Sequence, residues 1–520
     1  MAKNNKVEIS LEEKLKQALV PVDEQPYTIP SNWVWTRLGE ISKLSGGSGF
    51  PEKYQGFLDK NIPFYKVGSL KNIDDNFYIE NSENYIDDDI LTEIKAKLFP
   101  ANTIIFAKIG EAIRLNRRAI LKENSCIDNN LMALVSNSSC YFRYIYFWLK
   151  KEDLYKYAQA TTVPSIRQST LEELEFPLPP LNEQKRIVEK LDFLFEKTKR
   201  AKEIIEEIKI DIENRKISIL DRAFKGTLTS KWRSENKTSD VKELLKSINE
   251  EKIKKWEEDC LQAEKDGNKK PKKPTITEVK DMIVPVDEQP YKLPDSWVWG
   301  RLGDISEKIS KGTTPRGDDG YIEEGVNFLR VENIGNNNSI NLSNIKYINE
   351  KTHNGFLKRS ILKEKDILIS IAGTLGRTAI VKKEDLPANI NQAISFVRLI
   401  DNNKVLENFI ILYLNSPIIK STLLSQVKVT AIPNLTLEII SDIKFPLPPL
   451  EEQQEIVRVL DEVLENENKV KELLELEERI DILEKSILHK AFKGELGTQN
   501  SSDESAMELL KNSIAINTKI

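Results

Sequence analysis

The sequence predicts an α+β protein. Two mixed α/β domains are separated by two long antiparallel coiled-coil helices, and the two halves are related by an internal two-fold pseudo-symmetry. Three observations carry this reading. First, residues 20–42 (VPVDEQPYTIPSNWVWTRLGEIS) return as residues 284–306 (VPVDEQPYKLPDSWVWGRLGDIS), identical at 17 of 23 positions. Second, a proline-led stretch in each half opens a heptad of apolar residues. Third, the regions between these marks carry short β-branched runs and have drifted far apart.

The repeat fixes the order of parts. FPLPPLNEQ (Phe176–Gln184) returns as FPLPPLEEQ (Phe445–Gln453), and SILDRAFKGTL (Ser218–Leu228) as SILHKAFKGEL (Ser486–Leu496). Glu243-Leu244-Leu245-Lys246 is echoed by Glu508-Leu509-Leu510-Lys511. The offset moves from 264 to 269 only between the WVW and FPLPP marks. Copies of a surface stay alike where they hold the same partner or each other, and diverge where each reads something different. Drift alone would not spare the ends and helices. The chain therefore divides into an N-terminal segment (1–26), a first variable domain (27–180), a central helical spacer (181–268), a linker (269–290), a second variable domain (291–449) and a C-terminal helical spacer (450–520).

Within the variable domains, Asn102–Ala107 and Asp366–Ala372 read as buried strands, as do Leu131–Val135 and Ala393–Leu399. Phe142–Leu149 and Val405–Leu414 read as the helices that follow. After each Pro-Pro, which cannot sit inside a helix, a long helix begins. Its seam in the first half is Ile187, Leu191, Leu194, Ala201, Ile205 and Ile208, with Thr198 as a polar member, and Gly226 is its expected stop. The seam in the second half is Ile456, Leu460, Val463, Val470 and Leu474, with Glu467 at the polar place, and is expected to cover the first. Lys269–Pro274 (KKPKKP) reads as a solvated hinge.

Bulk properties narrow the class. Net charge is −5, against the basic footprint usual for a nucleic-acid binder. The excess acid lies outside the variable regions, however. Trp33–Glu175 holds 18 Lys+Arg against 19 Asp+Glu, and Trp297–Asp442 holds 18 against 16. Three scattered cysteines (Cys126, Cys140, Cys260) and two histidines (His353, His489) predict neither a disulfide framework nor a metal site. With no long apolar run and no apolar leader, the expected place is the cytoplasm, with no membrane partner.

These marks resemble the specificity subunit of type I restriction–modification systems. The likeness rests on WVW-x-RLG-[ED]-IS, the GTTP loop (Gly312–Pro315), VPSIRQ and IPNLTL (Val163–Gln168, Ile432–Leu437), FPLPPLxEQ and AFKGxL, and covers nearly the whole chain. The first half departs from it with SGGSGFP (Ser45–Pro51) where the second has SKGTTP, and the tail after AFKGEL is short. The resemblance implies that each variable region is a target-recognition domain for one half of a split site in double-stranded DNA. It implies that the long helices space the domains and hold two methyltransferase (modification) subunits, and that restriction (motor-nuclease) subunits join for cleavage. S-adenosylmethionine, ATP and magnesium are then expected on those partners, and no cofactor on this chain.

No catalytic motif stands against that reading. Pro179-Pro180 and Pro448-Pro449 are flanked by Leu and open helices, so they are not a methyltransferase motif. Gly373–Arg377 (GTLGR) lacks the lysine of a phosphate loop, and Asp87-Asp88-Asp89 reads as a solvated turn. The expected role is a non-enzyme. The alternative is a non-catalytic scaffold whose variable domains bind proteins rather than DNA.

Candidate DNA contacts follow from side-chain chemistry. Arg114, Arg117 and Arg118 share a side if their segment is helical, and Arg can grip phosphate or a guanine edge. Arg377 and Thr378 match them in the second half, and Gly110 and Gly376 offer close backbone approach. Thr313, Thr314 and Arg316 lie on a loop. Arg167, Gln168 and Asn434 precede the FPLPP marks, and Lys66, Lys108 and Arg330 complete the set.

Overall fold

The computed structural model describes residues 10–159, 163–315, 320–335, 338–400, 405–426, 434–465 and 469–517. It divides into two compact units, Met1–Glu206 with Leu474–Ile520, and Glu207–Leu473. The boundary falls inside the long helices. Each unit thus holds one variable region, the start of the helix that follows it, and the end of the other half's helix.

In the first unit, β1 (Val34–Arg37) pairs antiparallel with β10 (Glu175–Leu178), Val34 opposite Leu178 and Trp35 opposite Pro177. The WVW and FPLPP marks are therefore the two strands of one ladder. Proline is tolerated there because each strand of a two-stranded ladder is an edge. Inside this frame lie β2 (Ser42–Gly46), β3 (Ile62–Tyr65), β4 (Tyr85–Ile86), β5 (Leu98–Phe99), β6 (Ile104–Ala107), β7 (Arg118–Ile120), β8 (Ser125–Ile127) and β9 (Leu131–Ser136). They form two four-stranded sheets, β2-β9-β6-β7 and β4-β3-β8-β5. The fully buried Ile104, Ile105, Phe106, Leu131 and Leu134 explain why these runs are rich in large apolar residues.

The second unit repeats the plan. β11 (Val298–Arg301) pairs with β19 (Lys444–Leu447) in the matching register, Val298 opposite Leu447 and Trp299 opposite Pro446. β12 (Ser306–Lys311), β15 (Ile367–Ser370), β16 (Thr378–Ile380) and β18 (Ile394–Leu399) form a sheet in the order β12-β18-β15-β16. β13 (Val326–Leu329), β14 (Lys346–Ile348) and β17 (Ala388–Ile390) form the other, β14-β13-β17. The helices Phe142–Lys151 and Glu407–Leu414 follow β9 and β18, as the sequence predicts.

The long helix runs Leu181–Phe224, 44 residues, or about 66 Å at the standard rise. It ends at Gly226, whose φ is +72°; a Cβ there would stand 2.5 Å from Pro294 Cγ. Gly494 repeats this at φ +74° against Pro30 Cγ, at 2.3 Å. The AFKG glycines are therefore required twice over, by handedness and by close docking. In the second half the described helices are Leu450–Glu465 and Lys469–Phe492.

The seam packs differently from the sequence expectation. Ile187 and Leu191, fully buried, belong to one core with Ile487, Leu488, Ala491 and Phe492. Ile456 and Leu460 share the other core with Leu220, Ala223 and Phe224. The expected pairing of Ile187, Leu191 and Leu194 with Ile456, Leu460 and Val463 is thus corrected. Antiparallel packing sets the start of one helix against the end of the other. Thr198 donating to Glu484 Oε1 at 2.6 Å, and Lys202 bridging Asp481 at 2.7 Å, show that direction within the first unit. Leu194, Ala201 and Val463 are half-buried and Ile205 is buried, but Ile208 is exposed. The side chains of Val470 and Leu474, and Glu467, lie outside the described residues.

The remaining repeats find their purpose here. Leu11–Ala18 packs on Ala506–Asn517 in the first unit, and Val241–Lys265 packs on Val279–Met282 in the second. Residues 269–273 of the KKPKKP stretch are exposed, in keeping with a solvated segment, and they touch Trp256. Trp256 Nε1 donates to Pro271 O at 3.0 Å, and Lys273 lies 5.6 Å from the Trp256 ring centre. Asp87 is a helix cap, accepting from Ile90 N at 3.0 Å and bridging Lys60 at 2.7 Å.

Candidate nucleic-acid interface

Strand register gathers most candidates at one end of a sheet. Gly46, Met132, Phe106 and Arg118 stand in one row across β2-β9-β6-β7. The connections at that end are Gly47–Phe50, Asp128–Asn130 and Lys108–Arg117. In the second unit Lys311, Ser395, Ile369 and Thr378 form the matching row, so Gly312–Pro315, Asn391–Ala393 and Ile371–Arg377 occupy the matching end. The segments before the closing strands join there too. Ile166 N donates to Lys108 O at 2.9 Å, and Leu435 N to Ile371 O at 3.0 Å.

Not every candidate is free to meet a ligand. Arg117, Arg167 and Asn434 are exposed, and Arg377 is half-buried with no side-chain bond among the described residues. Arg114 is exposed but lies 3.8 Å over the Tyr155 ring and bridges Glu111 at 2.9 Å. Gln168 donates to Glu172 Oε1 at 2.7 Å. Lys66 Nζ donates to Gln55 Oε1 at 2.8 Å. Lys108 is half-buried, and its pKa is lowered by burial and by the neighbouring Lys97. Arg330 bridges Glu332, donates to Asn344 O at 3.1 Å, and lines a polar cavity of about 630 Å³ with Asn333, Asn341 and Lys346. Thr313 accepts from Arg359 Nη2 at 2.9 Å, and Thr314 bonds Gln392. Arg316 lies outside the described residues.

Four expectations are corrected. Arg118 is 5% exposed, and its guanidinium donates to Asn116 O at 2.7 Å and Glu152 O at 2.6 Å. Burial draws its pKa down to about 10. Thr378 is also buried, donating to Asn338 Oδ1 at 3.1 Å and accepting from Asn415 Nδ2 at 2.7 Å. Both residues open edge strands, β7 and β16, yet their side chains are buried among these partners and so are withdrawn from the surface. The backbone N–H groups of Gly110 and Gly376 are taken by Pro164 O (2.8 Å) and Ser370 O (3.0 Å). Nor is the arginine segment helical as a whole: a single 3-10 turn, Glu111–Ile113, precedes β7.

The paired EQ of each FPLPPLxEQ holds the frame. Gln184 accepts from Tyr141 N at 2.7 Å and donates to Ser139 O at 3.0 Å, and Gln453 accepts from Leu406 N at 3.1 Å. Each therefore fastens the start of the helix after FPLPP to the residue that caps the helix following β9 or β18. The sequence shows the motif but not this role, because its partners stand more than forty residues away.

Fold and interface together define a class: a duplicated domain, each copy set on its own helical frame and presenting a loop surface unlike the other's. Residues 30–210 and 294–478 each match the family model for the type I restriction modification DNA specificity domain. The chain belongs to that family. It is 31% identical over 454 residues to the type I restriction enzyme MjaIX specificity subunit of Methanocaldococcus jannaschii, covering 85% of this chain and 89% of that protein. It is 28% identical over 348 residues to the EcoBI specificity subunit of Escherichia coli, covering 65% of this chain and 62% of that one. A solved chain from work on assembly and conformational transition of the type I R-M system shares the fold at TM-score 0.64 and 20% identity, covering 91% of this chain and 100% of that chain.

Proposed function

We propose that this chain is the sequence-specific DNA-binding subunit of a type I restriction–modification complex. Its two recognition domains read the two halves of a split site, and it directs methyltransferase and restriction subunits there. One observation carries the reading: the frame is repeated nearly bond for bond, from the β1/β10 and β11/β19 ladders to the Glu183–Trp33 and Glu452–Trp297 contacts, while the loops at the sheet ends differ. A scaffold for one kind of partner needs no such divergence, and the DNA specificity description of the matched family favours DNA over protein as the thing read.

In this reading the chain is non-catalytic and works in the cytoplasm. S-adenosylmethionine, ATP and magnesium belong to the partner subunits, of which two are modification subunits. No helix among the described residues is long and apolar enough to cross a membrane. The test is methylation sequencing of DNA from a host carrying the whole system, with and without this gene. A split methylated motif that vanishes with the gene is expected. A motif that persists without the gene contradicts the proposal.

A further inference from the structure

Two loops of unlike sequence build one arrangement. After β2, Gly47 N donates to Leu131 O at 3.2 Å, and a Cβ on Gly47 would stand 2.1 Å from Asp128 O. After β12, Gly312 N donates to Ile394 O at 3.1 Å, and a Cβ on Gly312 would stand 1.9 Å from Ile390 O. No residue with a side chain fits either place. The next residue is a hydroxyl in both loops, Ser48 and Thr313, although SGGSG and SKGTT differ at three of five positions.

A cation is fastened to each loop. Lys97 N donates to Ser48 Oγ at 2.9 Å, and its ammonium donates to Ser45 Oγ at 2.8 Å and Gly46 O at 3.2 Å. Arg359 Nη2 donates to Thr313 Oγ1 at 2.9 Å. Both side chains are exposed, and among the described residues neither has a carboxylate within 4.0 Å. In the first unit Lys108 brings a second ammonium against Gly46; burial and then Lys97 lower its pKa, and Asp128 acts against them. Lys97 and Arg359, exposed cations beside a hydroxyl and a side-chain-free turn, suit an anionic oxygen that must come close.

We propose that these are equivalent phosphodiester cradles, Gly47–Ser48 with Lys97 and Gly312–Thr313 with Arg359, each gripping the DNA backbone at a fixed point of its half-site. The inference rests on the DNA-reading function above and adds where each domain takes hold. Backbone contacts set register and carry no base information. This explains why the chemistry survives in both copies while the neighbouring loops diverge.

The test uses the full chain assembled with its modification subunits. Affinity for duplexes with and without the methylated motif is measured between about 50 and 200 mM salt for Lys97→Ala and Arg359→Ala. Each is expected to lower the slope of log affinity against log salt by about 0.9, so affinity falls about 3.5-fold less over that range. The loss should be equal on both duplexes, the methylated motif unchanged, and the slope restored in Lys97→Arg and Arg359→Lys. Unchanged slopes beside specific binding by the parent complex overturn the cradles and leave the function standing. So does a loss confined to the motif-bearing duplex. A parent complex that binds no duplex overturns both.

Discussion

Glu183 Oε2 accepts the indole N–H of Trp33 at 2.9 Å, across 150 residues of sequence. Glu452 takes that of Trp297 at 2.8 Å in the second unit. Both glutamates are fully buried. Glu183 also accepts from Thr498 at 3.1 Å, and Glu452 from Thr229 at 2.6 Å and Arg233 Nε at 2.9 Å. One carboxylate thus ties together a domain frame, the helix after it and the end of the other half's helix.

The difference in partners gives an order of effects. Glu452→Ala leaves the Arg233 guanidinium without its carboxylate, and is expected to destabilise the second unit by about 3–5 kcal/mol. Glu183→Ala removes hydrogen bonds to a charged acceptor and should cost about 1.5–3 kcal/mol. Hydrogen exchange, read separately in the two units, measures both. Equal effects would mean that Arg233 contributes nothing.

The arginines of the first domain should separate by burial. Arg118→Ala is expected to lower stability by about 1–3 kcal/mol through the orphaned Glu152 and Asn116 carbonyls. Arg117→Ala should change stability by less than about 0.5 kcal/mol, and weaken DNA binding with a salt slope lower by about 0.9. Thermal melts and a salt titration of the same variants check this. A stable Arg118→Ala would contradict its structural role.

Much of this architecture was legible because identical words recur. The β1/β10 and β11/β19 ladders join the WVW and FPLPP marks, and the long helix stops before Gly226 as read. The rest was hidden for physical reasons. Heptad spacing identifies a buried face but not its neighbour, so it does not distinguish Ile456 from Ile487 and Phe492 as the cover of Ile187. Arg114, Arg117 and Arg118 have helical spacing, yet Gly110 and Asn116, with φ of +77° and +50°, break the segment before a strand. Lys97 stands in a plain KAKLF run, and only the fold sets it against the SGGSG loop.

The helices should act as a ruler. One heptad added to each long helix keeps the seam in register and lengthens it by about 10 Å, roughly three base pairs of duplex. Methylation sequencing is expected to show the same two half-sites, farther apart. The original spacing would mean that the helices do not set it.

The most direct measurement of one domain per half-site uses a single half. Residues 1–266 lack Leu474–Ile520, which completes the first unit. They carry a substitute, however. Ile219, Leu220, Ala223 and Phe224 are the same residue types as Ile487, Leu488, Ala491 and Phe492, at an offset of 268. Two copies should therefore pair, each closing the other's core, with an exact two-fold axis in place of the internal one. An exact two-fold protein reads a palindrome. Methylation sequencing with this half and the modification subunit is expected to show an inverted repeat of the first half-site and loss of the second. Methylation still confined to the original asymmetric site would contradict the account.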